Sequence, residues 1–161
     1  MSKSKIYTTI GIMSGTSFDG MDFSLIRTDG HKFVKILNEK NYIYSENYRN
    51  KIKKIINNLP KKKFHQLKYA KENEDFITNK FIKYTRKFIH FIKIDIKNID
   101  LIGLSGQTIF HNPEEKYSIQ LASGKKMYEK LKIPIICDFR KNDLLNGGQG
   151  APIGSFYHKY I

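Results

Sequence analysis

The stretch from about Phe64 to Phe91 constrains the fold most. Ile77, Phe81, Tyr84, Phe88 and Phe91 recur at steps of three and four, while Lys80, Lys83 and Lys87 take another face. That period predicts one long helix with an aromatic stripe. Such a stripe belongs in a core and needs a second layer to cover it. The preceding residues supply strands. Lys5 to Ile12 reads as a strand, Ser14 to Gly20 as a polar turn, and Asp22 to Arg27 as the return strand of a hairpin. Thr28-Asp29-Gly30 is a second turn, with glycine where a positive φ is wanted. Phe33 to Tyr44 alternates as a third strand. The chain therefore opens with a three-stranded antiparallel meander. Glu46 to Leu59 follows as a short amphipathic helix with Ile52, Ile55, Ile56 and Leu59 on one face, and Pro60 with Lys61, Lys62 and Lys63 breaks it from the long one.

Beyond Asp100 the pattern changes. Leu101 to Ser105 is a short apolar run typical of a buried parallel strand. Gly106 to Pro113 reads as a loop, Tyr117 to Leu121 as a strand, Gly124 to Leu131 as a helix, and Ile133 to Cys137 as another buried strand. Leu144 to Pro152 is rich in glycine. The order βββ-αα-β-β-α-β indicates an α/β domain whose mixed sheet opens with the meander. At 161 residues there is room for one domain, or two very small ones.

Charge raises one competing reading. Twenty-nine basic against 15 acidic residues give a net charge of +14, which first suggests nucleic acid or an anionic membrane. Arginine, the residue suited to bidentate phosphate and base recognition, occurs only as Arg27, Arg49, Arg86 and Arg140. The rest is lysine, beside abundant Ile and Asn, as a coding bias toward A and T would produce. A solvated basic surface follows, with no nucleic-acid or membrane partner; a small non-catalytic domain binding a polyanion or a protein partner is the alternative. Cys137 stands alone, so no intrachain disulfide forms, and one Cys with five His leaves no four-ligand zinc site. No apolar run approaches the roughly 18 residues of a membrane helix, and the N-terminus lacks a signal-peptide pattern. A cytoplasmic protein is the expectation. The chain stops on Phe156, Tyr157, Tyr160 and Ile161, which reads as a truncated product with a sticky edge.

Three clusters carry candidate chemistry. Met13-Ser-Gly-Thr-Ser-Phe-Asp-Gly-Met-Asp22 is a tight turn with two glycines, three hydroxyls and two carboxylates. Its backbone amides can form a nest for phosphate oxygens, and Asp19 and Asp22 can hold Mg²⁺. No Lys follows, so it is not a Walker-type loop; a plain Ser/Gly turn would use the same residues. Ser105-Gly-Gln-Thr-Ile-Phe-His-Asn-Pro113 follows a buried strand, where ligands of open α/β sheets bind; Gln107 and His111 suit sugar hydroxyls. Ser105 with His111 lacks the Gly-x-Ser-x-Gly elbow of a hydrolase. Asp138-Phe-Arg140, then Asn146-Gly-Gly-Gln-Gly-Ala-Pro152, sets a carboxylate and a guanidinium beside a glycine-rich loop, fit for a polar anionic ligand or for a local ion pair.

In this order, the motifs at 13–22, 106–113, 138–143 and 147–152 resemble the anhydro-N-acetylmuramic acid kinase family over essentially the whole chain. The resemblance implies a ribonuclease-H-like lobe of the sugar kinase, actin and heat-shock chaperone fold, with ATP between two lobes. It implies cleavage of a 1,6-anhydro amino sugar by water with phosphate transfer from ATP to O6, giving N-acetylmuramic acid 6-phosphate in peptidoglycan recycling. By that likeness, Gly15, Thr16, Ser17, Phe18, Asp19, Gly20, Met21 and Asp22 form the ATP phosphate loop, with Mg²⁺ at Asp19 and Asp22. Gln107, His111, Asp138, Arg140 and Gln149 fall where the family lines its sugar cleft. Two departures stand out. Ser105 replaces the family's usual His, and the later Asp-Thr-Gly-Pro-Gly-Asn motif, with the aspartate that activates water, is absent. Residues 1–161 are thus expected to be the N-terminal lobe of a two-lobe kinase, with the second lobe and the catalytic base missing. The sequence is silent on oligomeric state.

Overall fold

The computed structural model describes residues 5–154. Phe156, Tyr157, Tyr160 and Ile161, expected to form a sticky edge, lie outside them. The N-terminal meander is present: β1 (Tyr7–Ser14), β2 (Gly20–Thr28) and β3 (Val34–Ile43) pair antiparallel in sequence. Its second turn is organised by Asp29, whose carboxylate accepts the amides of His31, Lys32 and Phe33, beside Gly30 at φ +75°. Then come α1 (Glu46–Asn57) and α2 (Lys63–Ile92), and β4 (Leu101–Asn112), which joins β1 in parallel. β5 (Tyr117–Leu121), α3 (Gly124–Leu131), β6 (Ile135–Ile136) and α4 (Phe139–Leu145) complete the described chain. The sheet order is β3-β2-β1-β4-β5, and β6 also pairs with β4. A meander followed by parallel strands and intervening helices is consistent with the sugar kinase and actin fold.

The stripe on α2 is the core that its periodicity predicts. Ile77, Phe81, Tyr84 and Phe88 are buried; Phe88 stacks on Phe23 of β2 at 5.0 Å, and Tyr84 on Tyr42 of β3 at 5.2 Å. The buried Thr78 and Thr85 return their hydroxyls to the carbonyls four residues back, which satisfies them inside an apolar interface. Phe91 departs from the expectation. It is 48% exposed, in the last turn of α2, with the Lys40 ammonium over its ring.

Three further differences lie in the second half. First, 106–113 is not a loop: β4 continues to Asn112, because Gln107 to Asn112 pair antiparallel with β5. Second, the strand expected over 133–137 is reduced to Ile135–Ile136. Pro134 has no N–H to donate, although its carbonyl accepts from Ile102 at 2.8 Å, and beyond Gly103 the same edge of β4 is taken up by β5. Third, Phe139–Leu145 is helical, starting from Asp138 in the left-handed region at φ 62°.

Candidate active site

β1 and β2 are joined by residues 15–19 at the carboxyl end of β1, the end that faces ligands in open α/β sheets. Gly20 is needed where the loop re-enters the sheet, since a Cβ there would sit 2.9 Å from the Tyr42 carbonyl of β3. Phe18 adopts φ 56°, and its amide donates to Gly15 O at 3.4 Å. Tyr44 N donates to Asp19 O at 2.8 Å, tying the far end of the loop to the end of β3. The amides of Thr16 and Ser17 have no partner among the described residues. Asp19 accepts from Ser17 Oγ at 2.7 Å; that bond, helped by backbone amides, holds its carboxyl below the usual carboxylate range. Asp22 accepts from Asn41 Nδ2 at 2.8 Å.

Beneath the loop lies a polar cluster that the sequence did not announce. Ser14, Tyr44 and Gln107 are all buried, Gln107 completely. Ser14 Oγ lies 2.7 Å from Gln107 Oε1, 2.9 Å from Tyr44 Oη and 3.1 Å from Gly20 O. A hydroxyl has one proton to give. The shorter contact takes it to Gln107, and the Tyr44 hydroxyl donates in turn to Ser14. Gln107 Nε2 donates to Gly15 O at 3.1 Å. Burial pushes the Tyr44 phenol up, so it remains a neutral donor.

Gln107 reaches this position through a bulge. Ile12 pairs with Leu104 but Ser14 with Gln107, so β4 carries one residue more than β1 across this step. Gly106, at φ +71°, absorbs it; a Cβ there would lie 2.9 Å from Leu121 O. The bulge turns Gln107 onto the face of Ser14. The expected sugar-cleft role of Gln107 therefore finds its side chain bonded to the loop and closed to solvent.

The remaining residues expected on the sugar side gather around α4. His111 Nδ1 lies 3.1 Å from Ser118 Oγ, and its imidazole is pushed below its ordinary value by burial and by the Arg140 charge. The α-carbon of Gly150 comes so close to His111 that a Cβ there would lie 3.3 Å from Cε1. Asp143, which no sequence motif singles out for a role, accepts the Gly150 amide at 2.7 Å through its side chain and the Gly148 amide at 2.9 Å through its carbonyl. It folds the glycine-rich turn back onto α4. Asp138 is exposed; Gln149 is exposed and borders a cleft of about 610 Å³ with Asn142, Asp143 and Asn146. A larger open cleft of about 1130 Å³ runs along the sheet face away from α2, lined by Met13, Asp22, Ser24, Gly103, Ser105 and Phe139. Phe139 borders both clefts. The loop carboxylate Asp22 and the motif residue Ser105 thus share one surface, and His111, Arg140 and Gly150 form a neighbouring group. No group of three or more His, Cys, Asp or Glu is placed to hold a metal among the described residues, and no described helix is long and apolar enough to cross a membrane.

Residues 7–161 match the family model described as anhydro-N-acetylmuramic acid kinase. Curated relatives of that name include the protein of Pelagibacter ubique (strain HTCC1062), 39% identical over 98% of this chain and 42% of the relative. Those of Rhodopseudomonas palustris (strain ATCC BAA-98 / CGA009) and Agrobacterium fabrum (strain C58 / ATCC 33970) are 34% and 33% identical, each over 96% of this chain and 42% of the relative. The chain therefore spans less than half the length of these relatives.

Proposed function

This chain belongs to the anhydro-N-acetylmuramic acid kinase family, and from that premise we propose that it is the N-terminal, phosphate-binding lobe of a two-lobe cytoplasmic kinase. The whole protein would convert 1,6-anhydro-N-acetylmuramic acid, water and ATP to N-acetylmuramic acid 6-phosphate and ADP, within peptidoglycan recycling. Water adds at C1, the C1–O6 bond breaks, and O6 takes the γ-phosphoryl group. The observation that supports this best is the 15–19 loop, whose carbonyls at Gly15 and Asp19 are bonded within the protein while the Thr16 and Ser17 amides lack partners among the described residues. Unpartnered successive amides at a strand end suit a phosphate group.

Each residue then has a task. Gly15 to Asp19 cradle the triphosphate, with Asp22 beside them; Gly20 and Met21, expected in the same loop, are buried at the start of β2 and support it from the sheet. Asp19 and Asp22 fit Mg²⁺, which keeps much of its water and needs only one or two carboxylates besides phosphate oxygens; the ion would neutralise charge on the transferring phosphoryl group. Asp19, kept ionised by Ser17, suits that role. His111, Asp138, Arg140 and Gln149 serve the sugar side, Arg140 as a fixed cation and His111 as a neutral ring. No residue of this chain is assigned as the base that activates water. Phosphoryl transfer depends on positioning and charge, and this lobe supplies part of each.

The test is titration of Mg·ATP into the purified 161-residue chain, beside a coupled ADP-release assay with the anhydro sugar. Saturable 1:1 binding that needs Mg²⁺ and weakens on Asp19→Asn is expected, without sugar-dependent turnover, since general-base help contributes about 10²–10⁴-fold. Absence of binding, or binding indifferent to both Mg²⁺ and Asp19→Asn, refutes the phosphate-loop assignment. Turnover lost on Asp19→Asn would show that these residues already contain a base.

A further inference from the structure

We propose that Ser14, Tyr44 and Gln107 are positioning residues: they brace the 15–19 loop from beneath, holding its carbonyls inward so that the Thr16 and Ser17 amides remain available to an anionic ligand. Only the anion rests on the kinase reading; the brace rests on the contacts themselves.

Two carbonyls define the loop's orientation, and each is held from the protein side. Gly15 O accepts from Gln107 Nε2 and Asp19 O from the Tyr44 amide, while Ser14, its proton committed to Gln107, fixes the Gln107 amide that reaches the loop. The holding groups come from three separate places: the last residue of β1, the residue after β3, and the bulged step of β4. Burying a hydroxyl, a phenol and a carboxamide without partners would be unfavourable for each. Here Tyr44 donates to Ser14, Ser14 to Gln107, and Gln107 to Gly15, so each donor is used and the chain of bonds polarises in one direction. The orientation of the Gln107 amide follows from its surroundings, because Nε2 faces two carbonyls, Gly15 O at 3.1 Å and Thr108 O at 3.5 Å. Phe18 is the loop's one apolar anchor, packed half-buried against the core, while Thr16, Ser17 and Asp19 are exposed. The backbone on either side of Phe18, at Gly15 and Asp19, is held by the brace. It follows that β4, the strand that also carries His111, sets the shape of a loop joining β1 and β2.

Gln107→Glu separates this role from simple packing. As a carboxylate, the new group sets an oxygen against the Gly15 and Thr108 carbonyls. As a neutral acid, it donates to Gly15 O and still accepts from Ser14. Burial and the acidic neighbours Asp19 and Asp22, with the phenols of Tyr44 and Tyr84, favour the neutral form; Arg49, acting on Asp19, is the nearby cation. The readout is carbon-detected Cα–Hα order parameters for residues 15–19 at pH 5.5 and pH 8, with Mg·pyrophosphate titrated under the same conditions. The wild-type loop should show values near 0.85 at both pH values. In Gln107→Glu they should match wild type at pH 5.5 and fall below about 0.6 at pH 8, the range of flexible backbone. Ser14→Ala should be loose at both, and Tyr44→Phe intermediate. Pyrophosphate should bind about tenfold more weakly wherever the loop is loose, the size of one net hydrogen bond. A Gln107→Glu loop equally ordered at both pH values overturns the brace. Should that variant not fold, a wild-type-like loop in both Ser14→Ala and Tyr44→Phe overturns it. Wild type that binds no pyrophosphate, with order parameters following the expected pattern, sinks the kinase reading and leaves the brace standing.

Discussion

Gly106→Ala tests whether the bulge in β4 is as tightly determined as its geometry implies. Gly106 sits at φ +71°, where a residue bearing a Cβ is disfavoured by about 1–2 kcal/mol. The added methyl would also lie 2.9 Å from Leu121 O, closer than real Cβ atoms approach, and 3.0 Å from Gln120 Cβ, tighter than nearly all real contacts. Those atoms belong to β5, which is hydrogen-bonded to β4 at Gln107 and Thr108, so the neighbour cannot move aside alone. Overpacking of this kind costs about 1–3 kcal/mol. Reduced freedom of the unfolded chain returns about 0.4–1 kcal/mol. A net loss of about 2–4 kcal/mol follows. Gly30→Ala is the matched control: it has φ +75°, but nothing lies within 4 Å of its Cβ position. It carries the backbone term without the clash and should cost about 1 kcal/mol. Urea unfolding of wild type and both variants gives the comparison, provided the slopes agree; in heating, the Gly106 variant should melt about 5–15 °C lower. A Gly106→Ala loss no larger than that of Gly30→Ala would refute the steric argument and, with it, the claim that the bulge fixes Gln107.

Tyr48→Phe should leave the protein as stable or raise it by about 1 kcal/mol in thermal melts, because the Tyr48 hydroxyl is buried without a hydrogen-bond partner among the described residues. Asp143→Ala should release the glycine-rich turn, read as at least about tenfold faster hydrogen exchange at the Gly150 amide, which now donates to that carboxylate. His111 has a folded-state pKa below its unfolded value, through burial and then Arg140. Its contribution is therefore complete above about pH 6.5 and is lost as the pH falls through the lowered folded value. Urea midpoints measured from pH 7.5 down to 5 should decline, and His111→Gln should flatten that decline.

The meander and both helices of the first half were legible because their signals are local. Asp29 and Gly30 form a turn from their own side chains and backbone, and the α2 stripe repeats within one helix. The second half depends on what lies across the sheet. Gly106 followed by polar residues reads as a loop, yet Gln107 and His111 find their partners in Ser14 and Ser118, on other strands. One extra residue in β4 exchanges which face each side chain meets, and no local pattern records it. That is why the motif alone points Gln107 toward a sugar, and why nothing local pairs Ser14 with Tyr44. The residues proposed to cradle phosphate stand out as a motif, whereas Asp143 acquires its contacts only once α4 exists. The sequence 139–145, with Asn and Asp inside and no side-chain cap, hides that helix.

Placing β4 beside β1 also has a kinetic consequence. The meander closes through turns of a few residues, but its β1 edge pairs with a strand that begins at Leu101. On a ribosome making about 5–20 residues per second, the stretch from Ile43 to Leu101 takes several seconds to appear. During that interval β1 exposes an unpaired edge, and Phe23 and Tyr42 await α2. The thirty-residue helix α2 is the first element to emerge that can cover them, and it forms from local bonds far faster than synthesis proceeds. Early in the life of the chain, then, α2 acts as a temporary shield for the nascent sheet, before β4 arrives to complete it.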